Sequence, residues 1–268
     1  RGKEYSALHD ETIANIKELL NIPAGYSVLF LTGGASTQFA MVPMNLLGAG
    51  QPADYTNSGA WAKKAIQEAK ALGNVNIVAD CGKEIPTRVP RIDELKTAPG
   101  AAYLHITSNE TISGAQWKVF PKHDCLIADM SSDMLSKPID VSKFGLIYAG
   151  AQKNLGPAGV TLVIMKDELA ERCPGTVPTM FRYKTHIAEN SLYNTVPTFP
   201  VYILCLVTRW LKAKGGLEGM NKINAEKAGK LYAAIDASGF YSGTAVKEFR
   251  SDMNVTFRLP TEELEAQF

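Results

Sequence analysis

The chain predicts an α/β fold: a large domain with a mostly parallel sheet flanked by helices, followed by part of a smaller α+β unit. Three observations lead there. Short apolar runs rich in Val, Ile, Leu and Ala alternate with segments of helical spacing, the order from which parallel sheets are built. A glycine turn, GGAS at residues 33–36, joins the first apolar run to the helix that follows it, an arrangement that turns backbone N–H groups toward an anion. Two residues of opposite charge, Asp129 and Lys153, follow the ends of two buried runs, and ligand chemistry in open α/β sheets collects at the carboxyl ends of strands.

Residues 7–20 (ALHDETIANIKELL) carry apolar side chains at helical spacing and predict an amphipathic packing helix stopped by Asn21 and Pro23. SVLFLT at 27–32 predicts a buried strand, and residues 33–47 a glycine turn that opens into a helix. A strand over 53–55, a helix over 60–72, and strands over 75–79 and 102–106 continue the alternation. The runs 125–128 and 146–149, bounded by turn formers, predict two buried parallel strands leading to Asp129 and Lys153. A long apolar helix over 202–214 breaks at the pair Gly215 and Gly216, which divides the chain into residues 1–214 and 215–268. In the second part, 217–238 predicts a charged amphipathic helix and MNVTFRL at 253–259 an alternating strand.

Composition narrows the function classes. The 268 residues suffice for one large domain plus part of another, and 46% apolar with 21% charged residues is ordinary for a globular protein. With 28 basic and 27 acidic residues the net charge is +1, so no global field draws the chain to nucleic acid or to a membrane surface. Any anion must be recognised locally. The apolar run at 201–207 is far short of the roughly 20 residues that span a bilayer, and no segment has the layout of a secretory signal. Cys81, Cys125, Cys173 and Cys205 are scattered without a CxxC pair, and no histidine stands at metal-ligand spacing, so free cytosolic thiols and no metal site are expected. His9, His105, His123 and His186 belong to no constellation and read as structural.

An aspartate and a lysine delivered to one sheet edge suit pyridoxal phosphate. The lysine would form the Schiff base, and the aspartate would hold the pyridine nitrogen protonated so that the ring acts as an electron sink. An ordinary ion pair, or two unrelated surface charges, satisfies the same residue types. The GGAS turn can hold a phosphate through backbone N–H groups, the Ser36 hydroxyl and the helix dipole; a glycine turn that merely caps a helix is the simpler alternative. It lacks the lysine of a nucleoside-triphosphate loop and the GxGxxG of a dinucleotide fold. Trp61, just after Gly59 at a helix start, could stack on a flat cofactor or serve the core. Thr111 in SNETISG could be only a turn former, and Asn194 and Thr195, ahead of Pro197, only a turn or cap.

Several longer strings carry more information than these single positions: RGKEY (1–5), GGASTQFAMVPMNLL (33–47), TNSGAWAKKAI (56–66), HITSNETISGAQW (105–117), the segment 128–161 around Lys153, NSLYNTVPTF (190–199) and DMNVTFRLP (252–260). Over nearly the whole chain they closely resemble the phosphoserine aminotransferases, a fold type I family that depends on pyridoxal phosphate. The resemblance implies Lys153 as the Schiff-base residue and proton shuttle, and Asp129 as the partner of the pyridine nitrogen. It implies Trp61 stacked on the ring, Thr111 beside the phenolic oxygen, and Ala35, Ser36 and Gln152 on the cofactor phosphate. Asn194 and Thr195 would reach the phosphate of the neighbouring subunit, which makes the expected cytoplasmic homodimer part of the site. Arg1 falls at the arginine of the family's HRG motif and is expected to bind the anionic end of the substrate, a task that suits guanidinium geometry. The histidine of that motif and the family's later His-Arg pair and carboxylate-binding arginine fall outside residues 1–268, and Arg250 and Arg258 do not match them. The implied reaction is ping-pong transamination between phosphoserine with its 3-phosphohydroxypyruvate partner and glutamate with 2-oxoglutarate, through pyridoxamine phosphate. Two alternatives stay open: a transaminase of alanine–glyoxylate type that shares the cofactor but not the substrate, and a fragment that binds cofactor without turnover.

Overall fold

A computed structural model describes residues 2–82 and 86–268. The first helix, α1 (Lys3–Leu19), buries His9, Thr12, Asn15 and Ile16 along one stripe, as the helical spacing requires. Strands β1 (Tyr26–Leu31), β2 (Ala53–Asn57), β3 (Val75–Asp80) and β4 (Leu104–Thr107) follow, with α2 (Gly34–Leu46) and α3 (Ala60–Leu72) between them. A short hairpin, β5 (Asn109–Glu110) with β6 (Ala115–Gln116), precedes β7 (Leu126–Asp129), β8 (Leu146–Gly150) and β9 (Thr161–Lys166).

Seven strands form one sheet in the order β1-β9-β8-β7-β4-β2-β3. Only β9 runs against its neighbours β1 and β8; the remaining pairs are parallel. Six strands therefore bring their carboxyl ends to a single edge, which is where a ligand is expected. Strand β9 has no counterpart in the sequence reading. TLVIMK is a continuous apolar run, and periodicity alone does not assign such a run to strand or helix.

Alternation along the strands feeds two cores. Val28, Phe30, Ile147 and Ala149 face one side, where Ile16 of α1 and Val201, Leu204 and Leu211 of a long helix pack on the sheet. Leu29, Leu31, Leu146 and Tyr148 face the other side and meet Phe39, Val42 and Leu46 of α2 and Ala65, Ile66 and Ala69 of α3. Each fully buried Leu, Ile or Val contributes about 1.5–3 kcal/mol, so both faces of the central strands hold the sheet edge rigid beneath the site.

After α4 (Tyr183–Ala188), the long helix is α5 (Thr198–Ala213), and α6 (Gly216–Ala237) starts almost at once. The predicted break falls where expected: Gly215 takes φ 86°, a left-handed conformation that glycine adopts without strain. Leu217 and Met220 at the start of α6 still join the same core as α5. The chain ends in α7 (Glu262–Gln267) beside a two-stranded ladder of β10 (Ser242–Gly243) and β11 (Phe257–Arg258). The strand expected over 253–259 is thus a correction, since only Phe257 and Arg258 pair. The preceding polar residues are engaged otherwise: Ser251 Oγ accepts from the N–H groups of Met253 and Asn254, Asn254 Oδ1 accepts from Asn109, and the Thr256 hydroxyl donates to the Ser113 carbonyl. No helix among the described residues is long and apolar enough to cross a membrane.

Candidate active site

Strand β1 ends in the turn that starts α2. Gly33 adopts φ 88°, and a Cβ there would stand 1.9 Å from Thr37 Oγ1, so both backbone and space call for glycine. The hydrogen bond from Thr37 N–H to the Gly33 carbonyl, 3.3 Å, is the first that the helix can make. The N–H groups of Gly34, Ala35 and Ser36 have no intrahelical acceptor, and among the described residues no side chain caps the helix. Ala35 is half-buried and Ser36 exposed. Three free N–H groups, one hydroxyl and the positive end of a helix dipole suit a phosphate.

Asp129 is the last residue of β7 and only 5% exposed. It pairs in register with Thr107 of β4 and Tyr148 of β8. Its Oδ1 accepts from both the N–H and the hydroxyl of Ser131, at 2.9 and 2.7 Å, and Ser131 Oγ in turn accepts the Gly150 N–H at 3.0 Å. Oδ2 has no hydrogen-bond partner among the described residues. Burial pushes the Asp129 carboxyl above its ordinary range, against the Ser131 hydrogen bonds and the nearby Lys153 charge. A cationic N–H donor at Oδ2 would oppose that shift.

Three residues past β8, Lys153 sits on a turn whose frame is fixed by Ala151 N–H to Val160 O, Gly156 N–H to Ala151 O, and the Asn154 side chain donating to Met134 O. Leu155, fully buried, pins the turn to the core. Lys153 and Gln152 are exposed. The Lys153 Nζ lies 4.9 Å from the centroid of the Trp61 ring.

Trp61 belongs to the first turn of α3, directly after Gly59. Its indole Nε1 donates to Thr111 Oγ1 at 2.9 Å, which leaves the Thr111 hydroxyl proton for another acceptor. The carboxylate of Glu110, 1% exposed, receives the Ser58 hydroxyl at 3.1 Å, the Ala62 N–H at 3.2 Å and the Trp61 N–H at 3.4 Å.

The structure therefore gathers Ala35, Ser36, Trp61, Thr111, Asp129, Gln152 and Lys153 at the carboxyl edge of the sheet. Asn194 lies in the loop before α5 and shares a cleft of about 210 Å³ with Thr32 and Thr37, which flank the glycine turn. Among the described residues its side chain donates to the adjacent Thr195 carbonyl, 3.4 Å away, and Thr195 is exposed. Arg1 lies outside the described residues. Ser131 and Glu110 escape sequence reasoning, because a serine and a glutamate inside longer strings carry no spacing that marks them. The donor set fits pyridoxal phosphate: free N–H groups for the phosphate, a carboxylate oxygen for the pyridine N–H, an aromatic ring and a primary amine.

Comparisons with known proteins identify the family. The family model described as aminotransferase class-V matches residues 1–268. The phosphoserine aminotransferase of Niallia circulans is 52% identical over 271 residues, covering 100% of this chain and 75% of that protein. The solved phosphoserine aminotransferase from Bacillus circulans subsp. alkalophilus superposes with a TM-score of 0.97 at 51% identity, over 100% of this chain and 75% of its own. A PLP-bound phosphoserine aminotransferase from Trichomonas vaginalis gives a TM-score of 0.94 at 38% identity, over 99% of this chain and 76% of its own. With half the residues shared along its full length and the same backbone beneath the lysine–aspartate edge, the chain belongs to the phosphoserine aminotransferase family of class-V aminotransferases.

Proposed function

We propose that the protein transfers an amino group between the phosphoserine/3-phosphohydroxypyruvate and glutamate/2-oxoglutarate pairs, using pyridoxal phosphate, in serine biosynthesis. The observation that carries this reading is the Lys153 amine set against the Trp61 ring, at the same sheet edge as the buried Asp129. The N–H groups of Gly34, Ala35 and Ser36, the Ser36 hydroxyl and Gln152 bind the cofactor phosphate. Trp61 stacks on the cofactor ring. Asp129 Oδ2 would accept the pyridine N–H, and Thr111 would donate its hydroxyl toward the phenolic oxygen. When bound, pyridoxal phosphate supplies an electron sink conjugated to the substrate α-carbon. Lys153 would hold the cofactor through its Nζ and, once the substrate amine had taken its place there, would take and return the substrate α-proton at Nζ. Arg1 binds the anionic end of the substrate.

A homodimer with shared sites, in which Asn194 and Thr195 serve the partner's phosphate, completes the proposal. The exposed apolar stripe of α5 next to that loop supports an interface there: Phe199 is 65% exposed, Tyr202 43% and Trp210 50%. The left-handed break at Gly215 supports a division into a cofactor-binding part, 1–214, and the start of a small domain, 215–268. Four free thiols accord with a cytoplasmic location.

The test is covalent trapping followed by substrate panels. Borohydride reduction of the cofactor-loaded protein should fix cofactor on Lys153, and Lys153→Ala should lose both that adduct and transamination while keeping its circular-dichroism spectrum. Peptide mapping to Lys143 or Lys137 instead would overturn the assignment. Turnover with alanine and glyoxylate, but not with phosphoserine and 2-oxoglutarate, would replace the substrate reading.

A further inference from the structure

We infer that Glu110 is a positioning residue: it caps α3 from across the sheet edge and, together with Thr111, fixes Trp61 at both its backbone and its indole. This inference rests on the reading of Trp61 as the stacking residue.

The first N–H groups of a helix need acceptors from outside it. In most helices the residue just before the first turn supplies one from its own side chain. Helix α3 begins after Gly59, which has no side chain to offer. The acceptor comes instead from strand β5, at separations of 48 and 49 residues, where Glu110 takes the Ala62 and Trp61 N–H groups. The reason for glycine at 59 is space. A Cβ there would stand 2.7 Å from both Cδ and Oε2 of Glu110, so the carboxylate occupies the volume that a side chain would fill.

A carboxylate that is 1% exposed is costly unless donors surround it. Here three donors do so, and the positive end of the α3 dipole adds to them. Burial and the nearby Asp129 charge push the Glu110 carboxyl up, while these hydrogen bonds pull it back. The strand carrying it is itself braced. Gly114 N–H returns to the Glu110 carbonyl at 2.9 Å, and Asn109 donates to Ser132 Oγ and Asn254 Oδ1. Consecutive residues thus hold the tryptophan: Glu110 binds its backbone N–H, and Thr111 binds its indole N–H at 2.9 Å. The tryptophan is placed by Glu110 of β5 and Thr111 of the turn that follows it, and not by rotamer preference on α3 alone.

Glu110→Gln separates the cap from simple packing, because it keeps the shape but turns an NH₂ group toward N–H donors. Glutamine keeps one acceptor oxygen, so in the cofactor-free protein hydrogen exchange should rise about tenfold, the size of a lost cap, at whichever of the Trp61 and Ala62 amides faces the NH₂ group, and at the Trp61 indole. Exchange in the later turns of α3 should not change. In the loaded protein, pyridoxal phosphate retention should fall about tenfold, and the visible circular dichroism of the bound cofactor should weaken. Gly59→Ala should reproduce the amide effect with Glu110 intact, by forcing the carboxylate aside. Thr111→Ala should free the indole and leave the two amides protected. Unchanged exchange at Trp61 and Ala62 in Glu110→Gln would overturn the cap. Raised exchange with unaltered cofactor dichroism and retention would overturn the positioning role. Should the wild-type protein bind no pyridoxal phosphate, the site reading fails, and exchange at the Trp61 indole in the cofactor-free variants still decides whether Glu110 places the ring.

Discussion

Asp129 shows how one carboxylate can be split between structure and chemistry. Both hydrogen bonds it receives fall on Oδ1, from a serine that is tied to strand β8 by the Gly150 N–H. Ser131 therefore orients the carboxylate and links it to the strand that leads to Lys153, while Oδ2 stays available for a cofactor nitrogen. Within the proposed site, a charge-assisted hydrogen bond at Oδ2 is worth about 1.5–3 kcal/mol, equivalent to roughly 10- to 150-fold in rate if it is made mainly in the transition state. Asp129→Asn keeps the size of the side chain and loses the charge. It should bind cofactor and slow α-proton removal by at least about tenfold, measured in single turnover with deuterated substrate. A single-turnover rate equal to wild type would remove Asp129 from the electronic role.

At the level of elements, the strands just below the site carry a buried aromatic layer. His105 of β4 stacks on Tyr55 of β2 at 4.7 Å and shares a 2.8 Å hydrogen bond with the Tyr148 hydroxyl of β8. Burial lowers the His105 pKa from 6.5 to about 3, whereas burial raises both Tyr55 and Tyr148, which stay neutral. Between those two values the imidazole is neutral in the fold and charged in the unfolded chain. The unfolded chain then binds the extra proton, so the His105 contribution is unfavourable below about pH 6.5 and grows until about pH 3. His105→Phe keeps the stack and removes the titration. In urea unfolding of the cofactor-free protein, the advantage of wild type over the variant should shrink by up to about 1.4 kcal/mol per pH unit on acidification below pH 6.5. A difference that does not change with pH would contradict the buried neutral state. The same strands mark what was legible beforehand. Strands ending at Asp129 and before Lys153, the helix over 60–72 and the break at Gly215 follow from apolar run length and glycine alone. Strand β9 does not, because TLVIMK has no alternation, and 253–259 is not a full strand because its hydrogen bonds go to tertiary partners. Glu110 was invisible for a related reason: its partners Ser58, Trp61 and Ala62 lie outside its own strand, and Ser131, although bonded locally to Asp129, meets the Gly150 N–H only once the sheet has formed.

At the scale of the whole molecule, the proposed dimer sets which chain's donors reach which phosphate. A dianionic phosphate in a partly buried site needs several donors, and the α2 N-terminus with Gln152 leaves room for more. Asn194 lines a cleft with Thr32 and Thr37 of its own chain, which favours service in cis. The exposed aromatic stripe of α5, continuous with the same loop, favours an interface and service in trans. A mixed dimer distinguishes them. Chains carrying Asn194→Ala with Thr195→Ala are combined with chains carrying Lys153→Ala. If the donors cross the interface, one site of the hybrid keeps a working Lys153 and intact donors, while the other site collects every defect. Borohydride should then fix cofactor at one site per hybrid, with retention like wild type, although neither parent does so. If the donors act within their own chain, each site in the hybrid is damaged, and purified hybrids should recover nothing. Trapped cofactor counts sites without needing turnover, so the outcome reports on where Asn194 and Thr195 act and not on substrate binding.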